Sequence, residues 1–125
     1  MTDVLIVDDD DVFGELTLQR VESLAFSAAF HHGPFGTVNA IRAAQPRLVI
    51  MDVNMPGLDG TAIWELLRKQ GLSRQTKVLL MSSLDQNQLD DLAARHGMDA
   101  ALQKSASKAQ LFTVIESLIG RPSEV

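Results

Sequence analysis

Three short, uninterrupted apolar runs set the main limit on how this chain folds. Val4-Leu5-Ile6-Val7, Leu48-Val49-Ile50-Met51 and Val78-Leu79-Leu80-Met81 each span four residues with no polar alternation. A strand with one wet face alternates; a continuous run of this length is what a parallel strand covered on both faces requires. Weaker runs at Phe26 to Phe30 and Ala100-Ala101-Leu102 raise the number of candidate strands to five. Segments of helix length lie between them. The clearest carries Leu111, Val114, Ile115, Leu118 and Ile119 on one stripe; another carries Leu89, Leu92, Ala93 and His96. Gly71 and Gly97 stand where helices end, and Pro46 halts the second helix, which opens near Phe35-Gly36-Thr37.

Strand and helix therefore alternate through a chain of 125 residues. Right-handed crossovers turn such a series into a three-layer α/β fold, a doubly wound five-stranded parallel sheet with helices on both faces. The flavodoxin-like strand order 2-1-3-4-5 is expected, with the site at the carboxyl ends of the strands. One domain over residues 1–120 is expected, followed by a short, loose tail at 121–125 that begins with the stop signal Gly120-Arg121-Pro122.

The residues that follow the strands carry the chemistry. Asp8, Asp9, Asp10 and Asp11 follow the first, Asp52 the third, Ser82 and Ser83 the fourth, and Lys104 stands just past the fifth. The second strand ends in Phe30-His31-His32 and contributes nothing comparable. Clustered carboxylates repel one another, by about 4 kcal/mol per close pair at an effective dielectric near 20. A divalent cation cancels that repulsion, and Mg²⁺ takes carboxylates, a carbonyl and waters while bridging to phosphoryl oxygens. Asp8 and Asp9, with Asp52 and the backbone carbonyl of Asn54, would make such a site. Asp52, alone after its strand, is placed to act as a nucleophile and hold a phosphoryl group as an acyl phosphate. Ser82 could donate to one phosphoryl oxygen and Lys104 neutralise another, with Ser83 the competing hydroxyl. Asp10 or Asp11 is expected to cap the first helix.

These pieces together resemble the receiver domain of two-component response regulators. The resemblance rests on Leu5-Ile6-Val7-Asp8-Asp9-Asp10, on Leu48 through Gly60 with its Met55-Pro56 turn and Asp59-Gly60, on Val78 through Ser83, and on Lys104. It implies that Asp52 is phosphorylated, that Asp8 and Asp9 bind Mg²⁺, that Ser82 is the switch hydroxyl and that Lys104 contacts the phosphoryl group. It also implies a donor phosphohistidine on a sensor histidine kinase or phosphotransfer protein, and no enzymatic activity beyond self-catalysed phosphotransfer and autodephosphorylation. Three positions depart from the family. Ser105 follows Lys104 where a proline with a cis peptide is usual, and a cis bond without proline costs about 3 kcal/mol more. Ala106 stands where phenylalanine is common. Ala101 occupies the place of the aromatic side chain that swings inward on activation, and the chain has no tyrosine. Coupling to the face made by the last two helices and the last strand is therefore expected to differ.

Composition narrows the alternatives. The net charge of -5 and the scattered Lys and Arg argue against nucleic acid. With no cysteine there is no disulfide or zinc-thiolate chemistry. No segment reads as a signal peptide or a membrane span, so a cytoplasmic protein without a membrane partner is expected. Either a stand-alone receiver or a receiver module excised from a larger protein is expected, and its expected output is contact with a downstream protein that the sequence does not name. A haloacid-dehalogenase-type phosphatase shares the Asp-rich first turn, hydroxyl and lysine, but it needs a cap. A flavodoxin-type flavin site would be repelled by the same carboxylates, and a degenerate receiver that is never phosphorylated is the remaining alternative. His31 and His32 read as surface loop, His96 as a helix-terminal residue, Trp64 as partly buried packing, and Met51, Met55 and Met81 as core or turn packing.

Overall fold

The computed structural model describes residues 2–52, 54, 55, 58, 59, 62, 65, 68, 69 and 75–123. The expected alternation appears in β1 (Val4–Asp8), α1 (Asp11–Ser23), β2 (Ala28–His32), α2 (Thr37–Ala44) and β3 (Leu48–Met51). The two-residue strands β4 (Asn54–Met55) and β5 (Leu58–Asp59) form an antiparallel ribbon. Ala62, Glu65, Arg68 and Lys69 are helical. Then come β6 (Lys77–Ser82), α3 (Gln86–His96), β7 (Ala100–Gln103) and α4 (Lys108–Ile119).

The main sheet has five parallel strands in the order β2-β1-β3-β6-β7, which is the expected 2-1-3-4-5. Every residue of β1 and β3 is buried, as their unbroken apolar runs require. Alternation along the strands then divides the interior into two cores. Leu5, Val7, Val49, Met51, Val78 and Leu80 pack on one face with Ile41 of α2 and Leu89 and Ala93 of α3. Val4, Ile6, Leu48, Ile50, Leu79 and Met81 pack on the other with Val21 of α1 and Leu111 and Ile115 of α4.

The helix ends follow local chemistry. Asp10, not Asp11, caps α1 by accepting from the amides of Val12 and Phe13. Asp85 and Ser107 form reciprocal capping boxes with Gln88 and Gln110. Gly97 closes α3 in the left-handed region, with φ 68°, where a Cβ is costly.

The edge strand differs from expectation. β2 ends at His32 as expected but starts two residues later than the apolar run, and His31 and His32, also read as surface loop, lie in the strand. Phe26 is buried in the second core without joining the strand. The tail is also not loose as far as Ser123. Its hydroxyl donates to Asp3 at 2.7 Å. Arg47 donates to Asp3 at 3.0 Å and to the carbonyl of Arg121 at 2.9 Å. Trp64 and Gly71 lie outside the described residues, as do the side chains of Asn54 and Met55.

Candidate functional site

Strand parity decides which polar side chains meet. Asp8 continues the face of Val4 and Ile6, Asp52 that of Leu48 and Ile50, and Lys104 that of Ala100 and Leu102, all of which pack in the core that includes α1. The three side chains converge at the carboxyl rim. Lys104 Nζ lies 2.8 Å from Asp8 Oδ2 and 2.8 Å from Asp52 Oδ2. Asp8 and Asp52 are both buried. Asp8, Asp9 and Asp52 each offer a carboxylate oxygen within 4.8 Å of the others. Three carboxylates less one ammonium leave two negative charges in a small volume, which matches a hard divalent cation with oxygen ligands.

The backbone fixes this cluster from several sides. The Asp10 amide donates to Asp8 Oδ1 at 3.0 Å, and the Gly33 amide donates to the Asp8 carbonyl at 2.9 Å. The Asp52 amide donates to the Val7 carbonyl at 3.3 Å. Lys104 sits in a turn closed by the Ala106 amide on the Gln103 carbonyl at 3.0 Å, and its own amide donates to the Ser82 carbonyl at 2.9 Å. The Lys104–Ser105 peptide is trans; among the described residues only Gly33–Pro34 is cis. The lysine therefore reaches the carboxylates without the proline usual at position 105. Burial works to lower the Lys104 pKa, but the bonds it donates to Asp52 and Asp8 outweigh this and hold the ammonium above its ordinary 10.5. The face of the Phe13 ring lies under the same ammonium, 4.5 Å from Nζ.

Ser82 is fully buried at the end of β6, and its hydroxyl accepts from the Leu84 amide at 3.4 Å. Ser83 is exposed, which separates the two candidate hydroxyls. Beside them, Gln86 donates to the Ala101 carbonyl at 3.0 Å, and Gln103 donates to the Leu84 carbonyl at 3.1 Å. These two amides tie the β6–α3 loop and the start of α3 to β7 beside Ala101. His32 bonds Asp11 at the exposed margin, and His96 lies 3.7 Å from Glu65 near the end of α3. The backbone of Asn54 pairs with Asp59.

Residues 4–116 match the response regulator receiver domain family. The chain belongs to that family. As a receiver domain it is 30% identical over 121 residues to the transcriptional regulatory protein CseB of Streptomyces avermitilis, covering 96% of this chain and 50% of that protein. It is 30% identical to the sensor protein GacS of Pseudomonas syringae pv. syringae over 90% of this chain and 13% of that one. The receiver thus spans about half the length of CseB. The receiver-domain crystal structure from Bermanella marisrubri superposes with a TM-score of 0.82 at 26% identity, covering 94% of this chain and 97% of that one. The chemotaxis protein CheY4 of Vibrio cholerae shares the fold with a TM-score of 0.84 at 19% identity, over 94% of this chain and 98% of that one. Membership in the receiver family replaces the phosphatase and flavodoxin readings. The acidic charge argument against nucleic acid applies to this segment only, since several relatives are transcriptional regulators about twice its length. Among the described residues, no helix is long and apolar enough to cross a membrane.

Proposed function

We propose that Asp52 is the phosphoacceptor of this receiver. The observation that carries the reading is the Lys104 ammonium bonded at 2.8 Å to both Asp8 and Asp52 over a three-carboxylate cluster. An Asp52 carboxylate oxygen attacks the phosphorus of a phosphohistidine on a histidine kinase or phosphotransfer protein. The new O–P bond forms as the N–P bond breaks, and the imidazole leaves with the bonding pair and takes up a proton. Asp8, Asp9, Asp52 and the backbone carbonyl of Asn54 would hold Mg²⁺, which when bound offsets the carboxylate charge and that of the incoming phosphoryl oxygens. Lys104 exchanges its Asp52 contact for a phosphoryl oxygen, and the Ser82 hydroxyl donates to another.

In this proposal the chain catalyses only its own phosphotransfer and hydrolysis. It works in the cytoplasm as a receiver unit over residues 1–120, and its output is altered contact with a downstream protein. The test is incubation with acetyl phosphate and Mg²⁺, followed by intact-mass measurement. One phosphoryl group is gained, none is gained with a chelator, and none is gained by Asp52→Asn. Full labelling of Asp52→Asn would overturn the assignment, and so would a folded wild-type protein that never labels.

A further inference from the structure

We propose that Phe13 is a positioning residue for Lys104: its ring face holds the ammonium over the carboxylates that receive the phosphoryl group. This rests on the reading of Asp52 given above. A lysine stem has several free rotors and an ammonium with no preferred direction. Here the turn that carries it is exposed at Ser105 and is closed by the Ala106–Gln103 backbone bond. Two carboxylates attract the ammonium from one side. The Phe13 ring meets it from another, 4.5 Å from centroid to Nζ, inside the range of a cation–π contact.

Phe13 is itself held in place. Its amide donates to Asp10 Oδ1 at 3.2 Å, its carbonyl accepts from the buried Thr17 hydroxyl at 2.8 Å, and its side chain packs on the core shared with Leu102. The first turn of α1 thus carries both the anchor of the acidic loop and the aromatic platform for the lysine. Once Asp52 carries the phosphoryl group as an acyl phosphate, the negative charge that directs Lys104 moves from the carboxylate to the phosphoryl oxygens, while the ring remains as a fixed support beside them.

The test compares Phe13→Leu, which keeps apolar bulk, with Phe13→Tyr, which keeps the ring. With acetyl phosphate and saturating Mg²⁺, the leucine variant is expected to label about 3- to 30-fold more slowly, the span of a partly buried cation–π contact. The Mg²⁺ concentration for half-maximal rate is expected to stay at the wild-type value, and the tyrosine variant to restore the rate. In NMR spectra the Lys104 side-chain protons are expected upfield in wild type and Phe13→Tyr, from the ring current, and at ordinary lysine positions in Phe13→Leu. Wild-type labelling in Phe13→Leu, or equal slowing in Phe13→Tyr, would overturn the proposal. If wild type itself does not label, the Asp52 reading fails and the NMR signature alone decides the role of Phe13. An undisplaced Lys104 signal in folded wild type refutes it whatever the variants do.

Discussion

Replacing Asp9 with asparagine should stabilise the metal-free protein and weaken its response to Mg²⁺. Lys104 bonds Asp8 and Asp52, so Asp9 adds charge to a cluster whose ammonium is already engaged. At the 4.8 Å limit of the cluster and a dielectric near 20, each of its two repulsions is about 3.5 kcal/mol. The more distant attraction to Lys104 offsets roughly one of them. Asp9 is half-buried, so solvent and salt reduce the remainder to about 1–3 kcal/mol. For a domain of this size that is a rise in Tm of roughly 3–10 °C. Thermal unfolding by circular dichroism at low salt, with chelator and then with a Mg²⁺ series, measures both effects. The wild-type Tm should climb with Mg²⁺ as binding to the native state requires, while that of Asp9→Asn should barely move. A lower Tm for the variant with chelator, or an unchanged Mg²⁺ response, would refute the electrostatic account.

Other outcomes follow from the same structure. Burial works to raise the Asp3 pKa, but hydrogen bonds from Ser123, Arg47 and Ser27 outweigh it and hold the carboxyl below its ordinary 3.8. The stability this contributes is complete above pH 3.8 and lost as the pH falls through the lower native value. Arg47→Ala should therefore lower the unfolding free energy measured in urea at pH 7, by about 1.5–3 kcal/mol for one charge-assisted bond lost while those from Ser123 and Ser27 remain, and flatten the acid limb of the stability profile. Gly14→Ala would ordinarily favour a helix, yet its Cβ would lie 2.3 Å from the Phe30 ring. Urea unfolding should show a loss of about 1–3 kcal/mol from overpacking, and a gain would mean that the ring moves freely. Ala101→Tyr should leave the rate of labelling by acetyl phosphate unchanged, because Ala101 makes none of the contacts that hold Asp52 or Lys104; a large change would show that β7 controls the reaction itself.

The sheet and the rim cluster were legible because burial on both faces leaves long apolar runs, and a carboxylate interrupts such a run abruptly. Asp8, Asp52 and Lys104 could be placed at one rim from strand order alone. The edge strand was less legible. An apolar run reports burial, and Phe26 is buried without pairing, whereas His31 and His32 pair without an apolar signal. Phe13 went unrecognised for a related reason. Its position under Lys104 depends on how α1 lies against the sheet, which helix periodicity does not encode. The Asp3–Arg47–Ser123 clasp joins residues far apart in the chain, and each alone resembles an ordinary surface polar residue. Ser82 was the preferred hydroxyl and Ser83 its competitor from sequence, but the burial of the first and exposure of the second are not encoded in the motif.

The paired glutamines next to Ala101 act as a latch. Two neutral amide bonds contribute on the order of 2 kcal/mol to holding the loop against β7. A ring buried in that place would resist opening far more strongly. Trimming either side chain would loosen this attachment without touching the acidic rim.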